Sequence, residues 1–476
     1  MRTPKSTISK NLQPHERVLI AIETENSMDL REAILTQPMR KAQIGIVLTC
    51  ILLTMIDGYE VIVMPFVVPH LARTWALGAV EVGYLLSASV FGMALGAVLI
   101  SPLADKIGRR RHIMVCLAVI TLGMLLSACA NNLPQLIAFR AFAGLFIGAI
   151  ISSLNILVSE YSSDRRRGTV MGIYGVGLPL GSAMAGAVIG PLILAFDWRA
   201  PFVFGAVLTV IMLGLVMFAV PESIEYLIEK RPKGALDQYN RIADRLGYPR
   251  AAVLPAALET PQMQVAWKSL FSGVTLYRTV CLWLGYAGLI AAFYFANTWT
   301  AKMIADVSGD PSLGVRTGVL IMVGGVMGAL LFAGLSLKMR PRLVTVLIMF
   351  GGAIAYVLYA HRIQNIGVAL TLSVFVGMFA NGGVAAFYAI SPFVYPTLVR
   401  GTGVGLMIGF GRAVAILAPI FTGYMLSAGW TPQIAYQFFG GVLVVAGIAV
   451  ILLDCTYRGR SENPDVPEPS TTEANL

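Results

Sequence analysis

The chain has 476 residues, of which 57% are apolar and 13% charged. Soluble domains average about 45–50% apolar and about 25% charged, so this composition excludes a soluble enzyme, a nucleic-acid-binding protein and a disordered chain. The net charge of +10, from 35 Lys and Arg against 25 Asp and Glu, reads in so apolar a chain as cations retained in cytoplasmic loops.

Residues 1–39 are polar and charged, and their longest apolar run, Val18–Ile22, is too short for a signal peptide. Apolar runs then recur near 42–66, 79–101, 112–130, 134–158, 169–195, 200–220, 278–299, 316–337, 343–360, 366–390, 402–428 and 434–453. Each is long enough to cross a bilayer, and a crossing segment must satisfy its own backbone groups, so twelve helices are expected. The longest interior polar stretch divides them six and six. The expected organisation is a cytoplasmic segment 1–41, a six-helix bundle 42–220, a central cytoplasmic loop 221–277, a second bundle 278–453 and a cytoplasmic tail 454–476. With the N-terminus inside, cytoplasmic segments carry 28 Lys and Arg and outer loops 5, a split that puts both termini in the cytoplasm. An offset of about 232 residues superposes the halves weakly, with Leu337 where Asp105 stands. Parallel halves of this kind occur among transporters. The five cysteines show no metal or disulfide spacing, and no cofactor is expected.

Chemistry-bearing residues follow in chain order. Span 1 holds Ile56-Asp57-Gly58-Tyr59-Glu60. Two acids three apart share a helix face, and an acid at that depth must face a cavity or a cation. They are candidates for proton coupling or for a fixed ion pair. Between spans 2 and 3 runs Ser101-Pro-Leu-Ala-Asp105-Lys106-Ile-Gly108-Arg109-Arg110-Arg111. Gly108 permits a tight turn, and Asp105 can complement a nearby helix N-terminus, so the string is a candidate latch between halves or a topogenic basic loop. In span 4, Arg140 lies at a depth similar to Asp57 when counted at about 1.5 Å per residue. An Asp57–Arg140 pair is therefore geometrically open, as coupling element or static partner. Glu160, at the end of span 4, faces the cluster Arg165–Arg167 and is assigned to a gate or structural role over substrate contact.

The second half supplies rings and two more arginines. Phe293-Tyr294-Phe295-Ala-Asn297-Thr-Trp299 in span 7, and Asn381, Phe387 and Tyr388 in span 10, offer apolar walls and polar tips to an aromatic ligand, or ordinary packing. Arg412 sits about 15 Å into span 11, near the depth at which transporter substrates bind. Its guanidinium fork suits a carboxylate, or an ion pair with another span. Arg400, at the inner mouth, reads as topology or gating.

The loop 2–3 string resembles the signature of the major facilitator superfamily, with Ser101 in place of the first glycine. Asp57-Gly58-Tyr59-Glu60 resembles the D-G-[FY]-D element of the superfamily's aromatic acid:proton symporter family, with Glu60 in place of the second aspartate. Leu136–Gly144 resembles the superfamily's span-4 arginine motif. Ser159-Glu160-Tyr161 and the span-11 run from Arg400 through Gly405, Gly409, Gly411, Arg412, Pro419 and Gly423 resemble segments of the aromatic acid family. Trp299 lacks the proline that follows two residues on in that family, and Pro221-Glu222-Ser223 resembles a sugar-porter element without its Pro-Arg.

The resemblance implies a twelve-helix all-α membrane fold in two six-helix halves. It implies a monomeric multi-pass protein of the plasma membrane (bacterial inner membrane) that imports a benzoate- or hydroxybenzoate-type carboxylate with protons. Asp57, Glu60 and Arg140 would couple protons. Arg412, Tyr294, Asn297, Trp299, Asn381, Phe387 and Tyr388 would bind substrate. Asp105, Gly108, Arg109, Glu160 and Arg400 would gate. Nucleic acid is not an expected partner, and lipid is. The open alternatives are a carrier of another organic anion or a sugar-like solute, a transporter-fold sensor, whose soluble segments would be small, and a membrane enzyme. Against the enzyme, His15, His70, His112 and His361 are scattered.

Overall fold

A computed structural model describes residues 29–256, 273–395 and 400–457. The remaining parts of the expected N-terminal segment, central loop and tail, with residues 396–399, lie outside the described residues.

Twelve of the described helices are long and apolar enough to cross a membrane. They are α1 (Lys41–Thr74), α2 (Ala79–Leu99), α3 (Arg109–Ala128), α4 (Leu133–Glu160), α5 (Asp164–Ala195), α6 (Ala200–Ala219), α7 (Gly273–Ser308), α8 (Pro311–Ser336), α9 (Pro341–Arg362), α10 (Ile366–Ile390), α11 (Arg400–Ser427) and α12 (Pro432–Cys455). An even number of crossings returns the chain to its starting side, here called the terminal side. On the far side the turns are tight, and four even-numbered helices start with side-chain caps. Asn132, Asp310, Asn365 and Thr431 accept from the backbone N–H of Gln135, Ser312, Val368 and Ile434, which satisfies donors that a helix start leaves open.

Several helices overrun their expected spans. At about 1.5 Å per residue, the 34 residues of α1 exceed the bilayer core of about 30 Å. The helix continues past Pro65 and Pro69 to Thr74 because Val67, Val68 and Leu71 remain buried among neighbours.

The helices pack as two sets of six with matching pairings. In the first half α1 packs on α5, α2 on α4, and α3 on α4 and α6; in the second α7 packs on α11, α8 on α10, and α9 on α10 and α12. Glycines set the closest approaches. A Cβ on Gly92, Gly96, Gly144 or Gly148 would stand within 2.3 Å of a backbone oxygen across the α2–α4 seam. Gly324 and Gly328, 232 residues after Gly92 and Gly96, do the same across α8–α10. Small residues four apart allow such backbone contact in membranes.

Between the halves, α1 meets α7, α2 meets α11 and α5 meets α8. Among the described residues, four hydrogen bonds join the halves. Ser87 Oγ donates to the Ile416 carbonyl (2.7 Å), Tyr84 and Tyr424 share a hydroxyl bond (2.9 Å), Arg73 donates to the Ala305 carbonyl (3.1 Å), and Arg412 donates to the Met93 carbonyl (3.3 Å). The first three lie toward the far side and Arg412 at mid-depth. Glycines report the same gradient. Gly168, Gly172 and Gly175 of α5, and Gly405 and Gly409 of α11, have nothing within 4 Å of an added Cβ on their terminal halves. Farther along, a Cβ on Gly186 would stand 2.4 Å from Val319 of α8, and one on Gly423 2.6 Å from the Ala79 carbonyl oxygen of α2, both in the other half. The halves are joined on the far side.

Candidate functional site

Two buried acids lie at mid-depth in α1, and the structure gives them different surroundings. Glu60 faces Arg140 of α4, both almost fully buried (1% and 0% side-chain exposure). Arg140 Nη1 reaches Glu60 Oε2 at 3.5 Å and Nη2 donates to the Glu60 backbone carbonyl at 2.9 Å. Met124 Sδ lies 3.1 Å from Nη1, and the Phe202 ring lies 5.6 Å below the guanidinium. Of the two acids, it is Glu60 that pairs with Arg140, and the Asp57–Arg140 pair that counted depth left open is not formed. The two acids are less than one turn apart, and α1 turns the one nearer the far side, Glu60, toward α4.

Asp57 is 5% exposed, and neither of its carboxylate oxygens has a hydrogen-bond partner among the described residues. The cation whose charge acts on it is Arg412, from α11 of the other half. Gly58 next to it lets α1 touch α5, since a Cβ there would stand 2.2 Å from the Leu178 carbonyl oxygen. Arg412 is half-buried, and among the described residues its hydrogen bond crosses to Met93. Asp57 thus lies within electrostatic reach of Arg412 across the interface between halves, with no hydrogen bond or ion pair between them among the described residues. A small anion that entered here would meet a fork-shaped donor on one side and a titratable acid on the other.

The rings sort into two groups. Tyr294 is half-buried and lies within the electrostatic reach of Arg412, Tyr388 and Asp57. Tyr388 is exposed, with its hydroxyl 3.4 Å from that of Tyr286. Tyr286 escaped the sequence reading. It stands eight residues before Tyr294 on the same face of α7, and its ring covers Gly411 beside Arg412, 2.3 Å from where a Cβ would stand. That periodic position was the available signal.

Trp299 and Phe387 are fully buried. Trp299 donates to the Pro419 carbonyl at 3.1 Å, and Phe387 packs on Tyr286 with ring centres 5.7 Å apart. Asn381 donates to its own helix at Gly377 (3.1 Å) and abuts Gly325 in the α8–α10 seam. Asn297 donates to Phe293 (2.7 Å), and its Oδ1 is buried without a partner among the described residues. The structure therefore gathers Asp57, Arg412, Tyr294, Tyr388 and Tyr286, and places Trp299, Phe387 and Asn381 in packing positions around them.

The gating candidates lie on the terminal side. Gly108 has φ 97°, in the left-handed region that favours glycine, and Asp105 pairs with Arg109 at 2.8 Å. The acid at the start of α3 is Glu222, whose Oε1 accepts from Arg110 N–H at 2.9 Å. Glu160 meets neither Arg165 nor its neighbours. Its two oxygens accept from Ser223 Oγ (2.8 Å) and the Ile224 N–H (3.1 Å), at the start of a short helix Ile224–Lys230. Arg400 opens α11, half-buried. Part of the central loop is thus a folded plate. Its helices Ile224–Lys230 and Ala235–Leu246 hold a short helix Leu30–Thr36 through Arg31–Glu225 (2.7 Å), Tyr239–Asp29 and Arg40–Leu246 (2.8 Å). The sequence read Pro221-Glu222-Ser223 as an incomplete resemblance and missed its role.

No cluster of His, Cys, Asp and Glu among the described residues suits a metal ion.

Comparison with known proteins places this geometry. Residues 47–364 match the profile of the Major Facilitator Superfamily. The 4-hydroxybenzoate transporter PcaK of Pseudomonas aeruginosa is 28% identical, over 85% of this chain and 90% of the relative. A gallate transporter of Pseudomonas putida is 27% identical, over 89% of this chain and 94% of the relative. Among solved structures, a bacterial homologue of the human lysosomal transporter Spinster, inward-facing and unoccupied, aligns with TM-score 0.68 at 18% identity, over 91% of this chain and all of that one.

Proposed function

The chain belongs to the Major Facilitator Superfamily, and from that premise we propose that it is a carrier that imports an aromatic carboxylate of the hydroxybenzoate class together with protons, by alternating access. The reading rests on one observation: Asp57, buried with no hydrogen-bond partner among the described residues, lies within electrostatic reach of Arg412 in the other half. The names of the curated relatives supply the substrate class.

In this reading Arg412 takes the substrate carboxylate in its fork, and Tyr294, Tyr388 and Tyr286 face the ring and its hydroxyl groups. Asp57 takes a proton on the acidic, periplasmic face. Ionised, it would hold Arg412 by charge and repel the incoming anion. Protonated, it leaves Arg412 to the substrate. When the site opens to the more alkaline cytoplasm the proton leaves, the ionised acid again competes for Arg412, and the substrate is released. Glu60–Arg140 keeps the first half rigid around the site, and the termini and the Glu222 plate face the cytoplasm of the inner membrane. The joined far side corresponds to a state closed to the periplasm.

The test is uptake of labelled 4-hydroxybenzoate into proteoliposomes with the wild-type protein, Arg412→Ala and Arg412→Lys. Arg412→Ala is expected to lose saturable uptake and Arg412→Lys to keep part of it. Undiminished uptake by Arg412→Ala overturns the assignment.

A further inference from the structure

A cleft of about 550 Å³ lies on the far side, away from the central site, between α5 of one half and α8 of the other. Its walls are apolar. Pro191 and Leu194 come from α5 and Val319 from α8, and its polar groups are His70, Ser312 and Arg316. Ala187, Pro191 and Leu194 are exposed on α5, so the cleft opens on the perimeter of the bundle. Arg316 stands about 8 Å below the start of α8 and Val319 about 12 Å below it. That puts a cation near headgroup depth over an apolar floor.

Asp310 is the acid whose charge reaches Arg316, Asp197 reaches His70, and both are already engaged. Asp310 is held by the Ser312 N–H and hydroxyl, both at 2.8 Å. Asp197 is held by the Trp198 N–H (2.6 Å) and by Arg199 (3.1 Å). Arg73 donates to Ala305. Arg316 itself has no hydrogen bond or ion pair among the described residues. A guanidinium of this kind matches phosphate oxygens.

We propose that a phospholipid of the far-side leaflet seats in this cleft, with its phosphate on Arg316 and an acyl chain along the α5–α8 seam. The perimeter opening favours an occupant that arrives from the bilayer over one dissolved in water. Because the walls come from both halves, the bound lipid ties them together on that side.

The test is native mass spectrometry of the detergent-purified full chain titrated with phosphatidylglycerol. Wild type is compared with Arg316→Ala, Arg316→Lys and Ala187→Trp, which fills the mouth from an exposed position. Thermal midpoints confirm that each variant folds. The first lipid is expected to bind about tenfold more weakly to Arg316→Ala and to Ala187→Trp. Arg316→Lys should recover most of the affinity, and excess inorganic phosphate should not displace the lipid. Equal affinity in all four proteins overturns the proposal. Displacement by inorganic phosphate overturns it too, since the cleft would then be a site for the free anion.

Discussion

Asp57 and Glu60 stand within one turn of α1, yet among the described residues Asp57 has no hydrogen-bond partner and Glu60 is paired with Arg140. Removing the charge of Glu60 leaves Arg140 buried without a counter-charge. Breaking a buried pair in this way costs about 3–5 kcal/mol, so Glu60→Gln is expected to lower the thermal midpoint of the purified protein clearly. Asp57→Asn removes an acid that has no hydrogen-bond partner among the described residues, and its midpoint should stay at or above the wild-type value. A larger loss in Asp57→Asn than in Glu60→Gln would reverse the two roles. The sequence pointed to both acids and to Arg140, because charges at bilayer depth have few explanations. It left the Asp57–Arg140 pair open and did not single out Glu60–Arg140, because counted depth resolves a turn at best and says nothing of which way a side chain points around the helix. Arg412 was legible for the same reason as Arg140. Tyr286 carried only a weak signal, its position eight residues before Tyr294, and one ring among many in an apolar helix does not stand out until Gly411 is seen beneath it.

At the scale of elements, the helices were legible from their apolar runs and the seams were not. Gly148 shows why. A Cβ there would stand 2.0 Å from the Met93 carbonyl oxygen, a contact between α2 and α4 that no local pattern announces. Gly148→Ala forces the two helices apart and is expected to cost about 1–3 kcal/mol. Gly168→Ala, with nothing within 4 Å, is expected to be neutral or to stabilise by about 0.4–1 kcal/mol. Thermal unfolding of both in one detergent decides, and equal losses would contradict the seam geometry. The terminal-side plate teaches the same lesson over a longer distance. Glu222 and Arg110 are 112 residues apart in the chain and 2.9 Å apart in space. Glu222→Ala leaves the Arg110 N–H without its acceptor, and a loss of about 0.5–2 kcal/mol is expected.

Across the whole molecule the halves repeat their packing and differ in chemistry. The first half buries the Glu60–Arg140 ion pair between α1 and α4. The second carries a cluster of Tyr356, Tyr359 and Tyr436 with Phe295, their ring centres 4.4–6.4 Å apart. Under the proposed function the first half handles the proton through Asp57 and the second takes the anion through Arg412. Transport then requires the far side to open. Tyr84 and Tyr424 meet there across the halves, so a bifunctional cross-link between Tyr84→Cys and Tyr424→Cys, with the native cysteines replaced, should stop uptake. Cleaving the linker should restore it, and a cross-linked carrier that still transports would contradict alternating access. The central claim, proton coupling through Asp57, is tested most directly by 4-hydroxybenzoate uptake into proteoliposomes with and without an inward proton gradient. Wild type is predicted to accumulate substrate only with the gradient, and Asp57→Asn to equilibrate it at the same rate in both conditions. Wild-type uptake that ignores the gradient would contradict the account.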